Sequence, residues 1–172
     1  IAGRMISADQ RNDVAFEPFF THMLAHELMH GLGPHQITIN GRETNPRLEL
    51  KDIYSAIEEA KADITGLWAL GFMMEHAQQM KLGDLLKSGA AARRQLYATY
   101  LASAFRTLRF GTTEAHGRGM ALQFNYLTDK GAFVPHSDGT YSVDFDKVSG
   151  AVSDLTGELL TIEATGDYGK GK

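Results

Sequence analysis

Two histidines in the first fifth of the chain have the spacing of a metal-binding helix. Residues 26–30 read His-Glu-Leu-Met-His. Side chains four positions apart lie on one face of an α-helix, so His26 and His30 can point their imidazoles at the same ion. Glu27 lies about 100° further round such a helix, where its carboxylate can act as the base for a water that the ion activates. The spacing therefore predicts the site of a zinc hydrolase.

A second group of acidic residues follows in the segment Glu-Glu-Ala-Lys-Ala-Asp, residues 58–63. A catalytic zinc ion has three protein ligands and one open position, and two histidines with one glutamate are a standard set. We expect Glu59 to be the third ligand. Asp63, one helical turn further on, would accept the second ring N–H of a ligand histidine and orient the ring, and Glu58 is another candidate for that supporting role. One Zn²⁺ ion is the predicted cofactor.

Together the two motifs resemble the dipeptidyl peptidase III family and its bacterial relatives. In that family a zinc helix with histidine and glutamate is followed by a helix with the pattern Glu-Glu-x-x-Ala-acidic. The first motif here is one residue shorter than the family's frequent form, so the match is to the relatives. The resemblance implies a C-terminal catalytic fragment of a zinc metallopeptidase that acts on peptides, with a helical, zincin-like fold. It also implies the same site residues: the zinc ligands His26, His30 and Glu59, the base Glu27, and the supporting residues Glu58 and Asp63.

A third segment, Glu114-Ala115-His116, resembles the family's Ala-His site. The histidine of that site helps to stabilise the transition state, so the resemblance implies this role for His116, on a helix expected over residues 114–128. Arg118 and Tyr126 are further candidates for contacts with the substrate or the oxyanion.

Two alternatives remain open at the level of the sequence. Residues 26–33 also match the pattern HExxHxxG of metzincins, whose third ligand is a later histidine. Gln36 occupies that position here, and His35 precedes it, so His35 is an alternative third ligand. The other alternative has the same ligands without hydrolysis: a metal-stabilised interaction domain.

Composition narrows the classes of partner. The chain has 172 residues, 43% of them hydrophobic, and a net charge of −4, which provides no basic surface for nucleic acid. The absence of cysteine excludes disulfides and cysteine-ligated zinc. No apolar run approaches the roughly 20 residues that span a bilayer. Because the chain begins with isoleucine rather than methionine, we expect residues 1–172 to be a single domain excised from a larger metallopeptidase.

The elements that would position these residues are mainly helices. Hydrophobic periodicity and turn signals predict helices over residues 16–32, 50–81, 90–110, 114–128 and 144–165, with the zinc site within residues 16–81. Asn40-Gly41 and Asp138-Gly139 indicate short β-hairpins, and residues 166–172 look like a frayed end. In the second helix we expect Trp68 to face the core and Lys61 to be solvated. In the first, the expected apolar body comprises Phe19, Phe20, Met23, Leu24, Leu28 and Met29.

Overall fold

The protein is described by a computed structural model that covers residues 1–83 and 86–172. Its fold is mainly α-helical, as the sequence predicts. The helices are α1 (Ala2–Met5), α2 (Phe16–Met29), α3 (Pro46–Leu50), α4 (Tyr54–Glu75), α5 (Ala90–Leu108), α6 (Ala115–Asp129), α7 (Val148–Thr165) and α8 (Tyr168–Gly171). Short 3₁₀ helices span Arg11–Asp13 and Lys51–Ile53. None of the described helices is long and apolar enough to cross a membrane.

Both predicted hairpins are confirmed. Strands β1 (Ile37–Ile39) and β2 (Arg42–Thr44) pair in antiparallel fashion, as do β3 (Phe133–Pro135) and β4 (Tyr141–Val143). Asn40 and Gly41 have φ values of 50° and 80°, the left-handed conformation that a two-residue hairpin turn requires at both positions.

Helix α4 is the central element, and α2, α6 and α7 pack around it. Two glycines let its neighbours come close. A Cβ atom on Gly66 of α4 would lie 3.1 Å from the backbone nitrogen of His26, and one on Gly119 of α6 would lie 2.9 Å from the carbonyl oxygen of Ala56. His22 contacts Asp63 while His30 contacts Glu58, so α2 and α4 run antiparallel. This close crossing brings the two sequence motifs together.

Several predicted boundaries differ from the structure. The helix expected over residues 50–81 begins only at Tyr54. Lys51 has a φ of 51°, which is not helical and separates α3 from α4. The first helix ends at Met29 rather than near Leu32. Residues 166–172 are not frayed: α8 forms there, and the Asp167 side chain accepts a hydrogen bond from the backbone N–H of Lys170.

Burial corrects two expectations for α4. Trp68 is 38% exposed and stacks on Phe72 at the surface instead of facing the core. Lys61 is only 2% exposed rather than solvated. Its ammonium group is buried because backbone carbonyls at the end of α2 accept its hydrogen bonds.

Helix α2 buries a different face from the one expected. Its large apolar side chains Phe20, Leu24 and Leu28 are exposed, the last to 71%. The buried side chains include His22 and His26. The face of α2 that packs on α4 is therefore polar, which is unusual for a packed helix. This polar face marks the position of the candidate metal site.

Candidate metal centre

Helices α2 and α4 bring three predicted ligands to one point. The Nε2 atoms of His26 and His30 are 3.0 Å apart, and the Glu59 Oε2 atom lies 3.4 Å from the first and 4.0 Å from the second. With metal–nitrogen bonds of about 2.0–2.1 Å, the ligand atoms of a tetrahedral zinc site are about 3.3 Å apart. The three side chains thus form a triangle of the size that a single zinc ion requires.

A carboxylate lies behind each imidazole ring. His26 Nδ1 is 2.9 Å from Asp63 Oδ1, and His30 Nδ1 is 2.8 Å from Glu58 Oε1. A carboxylate only accepts hydrogen bonds, so each Nδ1 donates its proton and each neutral ring keeps its lone pair on Nε2. Carboxylate partners of this kind orient metal-binding histidines and raise their basicity. The two lone pairs then face the same point.

Glu59 supplies an independent test of the fit to a cation. Its Oε2 atom is buried and has no hydrogen-bond partner among the described residues, although imidazole nitrogens surround it. A buried carboxylate oxygen without a donor is costly, and so is its approach to two imidazole lone pairs. A divalent cation would relieve both costs, because all three atoms could then coordinate it. The residues fit a zinc ion.

The pKa shifts agree with this arrangement of charges. Burial lowers the pKa of His26, but the hydrogen bond and charge of Asp63, with the charges of Glu59 and Glu27, raise it above the ordinary value. Burial likewise raises the pKa of Asp63, but the hydrogen bond from His26 and the nearby imidazoles lower it below the ordinary value. Asp63 is therefore ionised at neutral pH and can hold the His26 ring.

Asp63 is held in turn by residues that the sequence motifs did not indicate. Gln123 of α6 donates from Nε2 to Asp63 Oδ2 at 3.3 Å and to the Gly119 carbonyl oxygen at 3.1 Å. The hydroxyl of Tyr100 donates to Gln123 Oε1. His22, one turn before His26, contacts the backbone carbonyl oxygen of Asp63 at 2.9 Å, which is a structural role. No spacing in the sequence links Gln123 and Tyr100 to the site, because only tertiary packing joins them.

Lys61 connects the end of α2 to the supporting carboxylate. Its Nζ atom donates to the carbonyl oxygens of Met29 and Leu32 at 3.0 and 2.8 Å, and lies 3.3 Å from Glu58 Oε1. The Lys61 ammonium group thereby provides hydrogen-bond donors for carbonyl groups that have no partner within the helix at the end of α2. It also fixes Glu58, which orients His30.

Glu27 faces open space beside the triangle. It is exposed and borders a cavity of about 170 Å³ that extends along His26. The cavity is lined by residues of α2, α4, α5 and α6: Phe19, His22, Met23, His26, Glu27, Asp63, Tyr100, Ser103, Arg106, Thr107, His116 and Met120. A base that reaches both water and a bound ligand belongs in this position.

His116, at the start of α6, lies against the same glutamate. Its Nε2 atom is 3.1 Å from Glu59 Oε2, so His26, Glu59 and His116 form a second group with the dimensions of a metal site. Two features separate His116 from His30. Its side chain is 66% exposed, and within the described parts of the chain no hydrogen bond fixes its ring as Glu58 fixes that of His30. His116 is better placed to meet a ligand in the cavity.

The remaining candidates lie elsewhere. His35 is exposed, its Nε2 atom is 3.2 Å from the Gly31 carbonyl oxygen, and it belongs to neither group of possible metal ligands. The geometry therefore does not favour the metzincin-like alternative. Tyr126 donates its hydroxyl to Glu158 at 3.0 Å, and Arg118 is exposed at the surface of α6.

Comparison with known proteins supports the resemblance carried by the motifs. No protein-family model matches the chain. Over 168 residues it is 53% identical to the protein named Nudix hydrolase 3 of Arabidopsis thaliana, and the match covers 97% of this chain but only 21% of that protein. The plant protein is thus named as a hydrolase, but this chain corresponds to about a fifth of it.

Two solved structures share the fold. Dipeptidyl peptidase III from Caldithrix abyssi has 43% identity and a TM-score of 0.90, over 99% of this chain and 31% of the solved one. The enzyme of the same name from Corallococcus sp. strain EGB has 46% identity and a TM-score of 0.88, over 99% and 30%. In sequence and in fold, the chain resembles a segment that makes up about a third of dipeptidyl peptidase III.

Proposed function

We propose that this chain carries the zinc site of a metallopeptidase. One observation supports the proposal above all: the Glu59 Oε2 atom, which has no hydrogen-bond partner among the described residues, faces two imidazole nitrogens whose rings are held from behind by carboxylates. In this proposal His26, His30 and Glu59 hold one Zn²⁺ ion, while Asp63 and Glu58 orient the rings. Peptides are the proposed substrates because the similar solved structures are peptidases.

The chemistry divides between the ion and the protein. When bound, zinc lowers the pKa of a coordinated water towards about 7 and polarises a carbonyl group. Glu27 would accept a proton from the attacking water and later deliver it to the leaving amine. His116 would donate a hydrogen bond to the carbonyl oxygen, which becomes negatively charged when water attacks the peptide carbonyl carbon. The contact of His116 Nε2 with Glu59 Oε2 puts the His116 ring at the edge of the triangle formed by the three proposed ligands.

Zinc binding and turnover test the proposal separately. We expect the purified chain to bind one equivalent of zinc and to hydrolyse fluorogenic peptides in a way that a chelator abolishes and added zinc restores. Zinc binding without hydrolysis, combined with unfolding on chelation, would instead support the metal-stabilised interaction domain. If no zinc binds under any loading condition, the proposed site is wrong.

A further inference from the structure

We propose that Arg106 forms a subsite that recognises a carboxylate of the bound peptide. The inference rests on the proposed function, because it concerns the substrate of that same cavity. Arg106 is on α5, which none of the sequence motifs includes, yet its side chain lines the cavity together with Glu27 and His116.

The wall that α5 contributes is polar. Ser103, Arg106 and Thr107 all border the cavity. Their spacing of three and four positions puts them on one face of the helix. A guanidinium group and two hydroxyl groups on one helix face offer several hydrogen-bond donors to the cavity, which is the chemistry of anion recognition.

The Arg106 charge is available to a ligand. Two other arginines of the same helix are used in ion pairs, Arg93 with Glu75 at 3.2 Å and Arg94 with Asp13 at 2.9 Å. Within residues 1–83 and 86–172, Arg106 forms neither an ion pair nor a side-chain hydrogen bond. A cation that lines a cavity and is not neutralised by an ion pair with a described residue attracts anions.

Phe19 of α2 supports the guanidinium group. The Arg106 Cζ atom lies 5.2 Å from the centre of the Phe19 ring, within the range of a cation–π contact. Contact with a ring face leaves the N–H donors at the edge of the guanidinium plane available. The side chain is thus positioned without using the donors that would grip a carboxylate.

The charges of the cavity favour one placement of an acidic peptide. Glu27 and Asp63 border the same space, so a peptide carboxylate beside them would be repelled. At Arg106 the same group could form two parallel charged hydrogen bonds. Such a contact would fix the position of the peptide relative to Glu27. The carboxylate could belong to an Asp or Glu side chain or to a free C-terminus.

Peptide binding to the zinc-loaded chain tests the subsite. We would use a Glu27→Gln background to prevent turnover and peptides of equal length. One is neutral with an amidated C-terminus, one has a free C-terminus, and the others form an amidated series in which a single glutamate occupies successive positions. We expect at least one acidic peptide to bind about 10-fold more tightly than the neutral one, near the lower end for a charged hydrogen bond because Arg106 is exposed.

Two substitutions make the test specific. Arg106→Gln should abolish the preference, while the matched control Arg109→Gln should keep it, since Arg109 contacts Phe110 and does not line the cavity. Arg106→Glu should reverse the preference in favour of a lysine-containing peptide. Whether the free C-terminus or a glutamate carries the effect identifies the carboxylate.

The outcomes separate this inference from the proposed function. Equal binding of acidic and neutral peptides, equal loss in the Arg106 and Arg109 variants, or no peptide binding at all would overturn the subsite. Chelator-sensitive hydrolysis by wild-type protein would leave the peptidase proposal standing in each of these cases. An Arg106-dependent preference in a chain that hydrolyses no peptide would support the subsite and reject the peptidase.

Discussion

His26 and His30 direct their Nε2 atoms at each other across 3.0 Å, while the Nδ1 atom of each ring contacts a carboxylate. Two neutral rings in these tautomers present lone pairs to one another, which is unfavourable unless a proton or a metal ion lies between them. The carboxylates behind the rings keep both lone pairs in that orientation. The arrangement is thus prepared for a cation by residues that do not touch it.

The two adjacent glutamates of α4 should differ sharply in their effect on zinc. Glu59→Ala removes a proposed ligand atom, so we expect zinc affinity to fall by far more than about 100-fold. Glu58→Ala removes only the partner of His30 Nδ1, and a loss of about 10- to 100-fold is expected. Competition with a chromophoric chelator measures both values. An equal or reversed order would exchange the roles assigned to the two residues.

Glu27→Gln should separate metal binding from turnover. Glu27 is exposed at the cavity and belongs to neither group of possible ligands, so we expect one equivalent of zinc to remain bound. Because the amide cannot accept a proton, hydrolysis should fall by about 10²- to 10⁴-fold. Metal analysis and peptide hydrolysis on the same sample check both parts. A zinc-loaded variant with wild-type turnover would show that another group is the base.

His116→Phe should impair turnover while preserving the metal. If His116 donates a hydrogen bond to the developing oxyanion, its loss should lower kcat by about 10²- to 10³-fold. Zinc affinity should stay close to that of the wild type, since the proposed ligand is His30, whose ring has the Glu58 carboxylate behind it, and not His116. His30→Ala is the matched comparison. If His116→Phe loses as much zinc affinity as His30→Ala, the group of His26, Glu59 and His116 is the actual ligand set.

The placement of His26 and His30 on one face of α2 could be predicted, because it depends on helical geometry alone. The four-residue spacing of His26 and His30 already puts both rings on one face, and the structure brings them to Glu59 and Asp63 as expected. The roles of these residues in binding zinc and in catalysis remain predictions until they are tested. The contribution of Gln123 could not be foreseen, since it depends on how closely α6 approaches α4 at Gly119.

Burial was harder to predict than secondary structure. Large apolar residues occur around much of α2, so its periodicity indicates a helix without indicating which face is buried. Leu28 is exposed and His26 buried because the polar contacts with Asp63 decide the packing. Lys61 shows the same effect: composition suggests solvation, but the carbonyls of Met29 and Leu32 provide partners inside the protein. Contacts between distant segments determine both outcomes.

Glu163 of α7 should make folding stability depend on pH. Its side chain is buried, and its Oε1 atom has no hydrogen-bond partner in the described part of the chain. Burial raises the pKa of Glu163 from 4.5 to about 7, a rise that Lys61 opposes and Glu58 reinforces. Between these two values the unfolded chain releases the proton while the folded protein retains it. Glu163 therefore makes the free energy of unfolding decrease as pH rises from 4.5 to about 7, and it causes no further decrease above that pH.

Glu163→Gln removes this dependence because an amide does not ionise. We expect the variant to gain stability relative to the wild type across that pH window, and the gain to level off above about pH 7. Urea unfolding of both proteins at several pH values, with a chelator present to exclude linked zinc binding, measures the difference. Asp154→Asn, an exposed change on the same helix, is the control and should show no such trend. A difference between Glu163→Gln and wild type that stays constant with pH would show that Glu163 titrates alike in the folded and unfolded states.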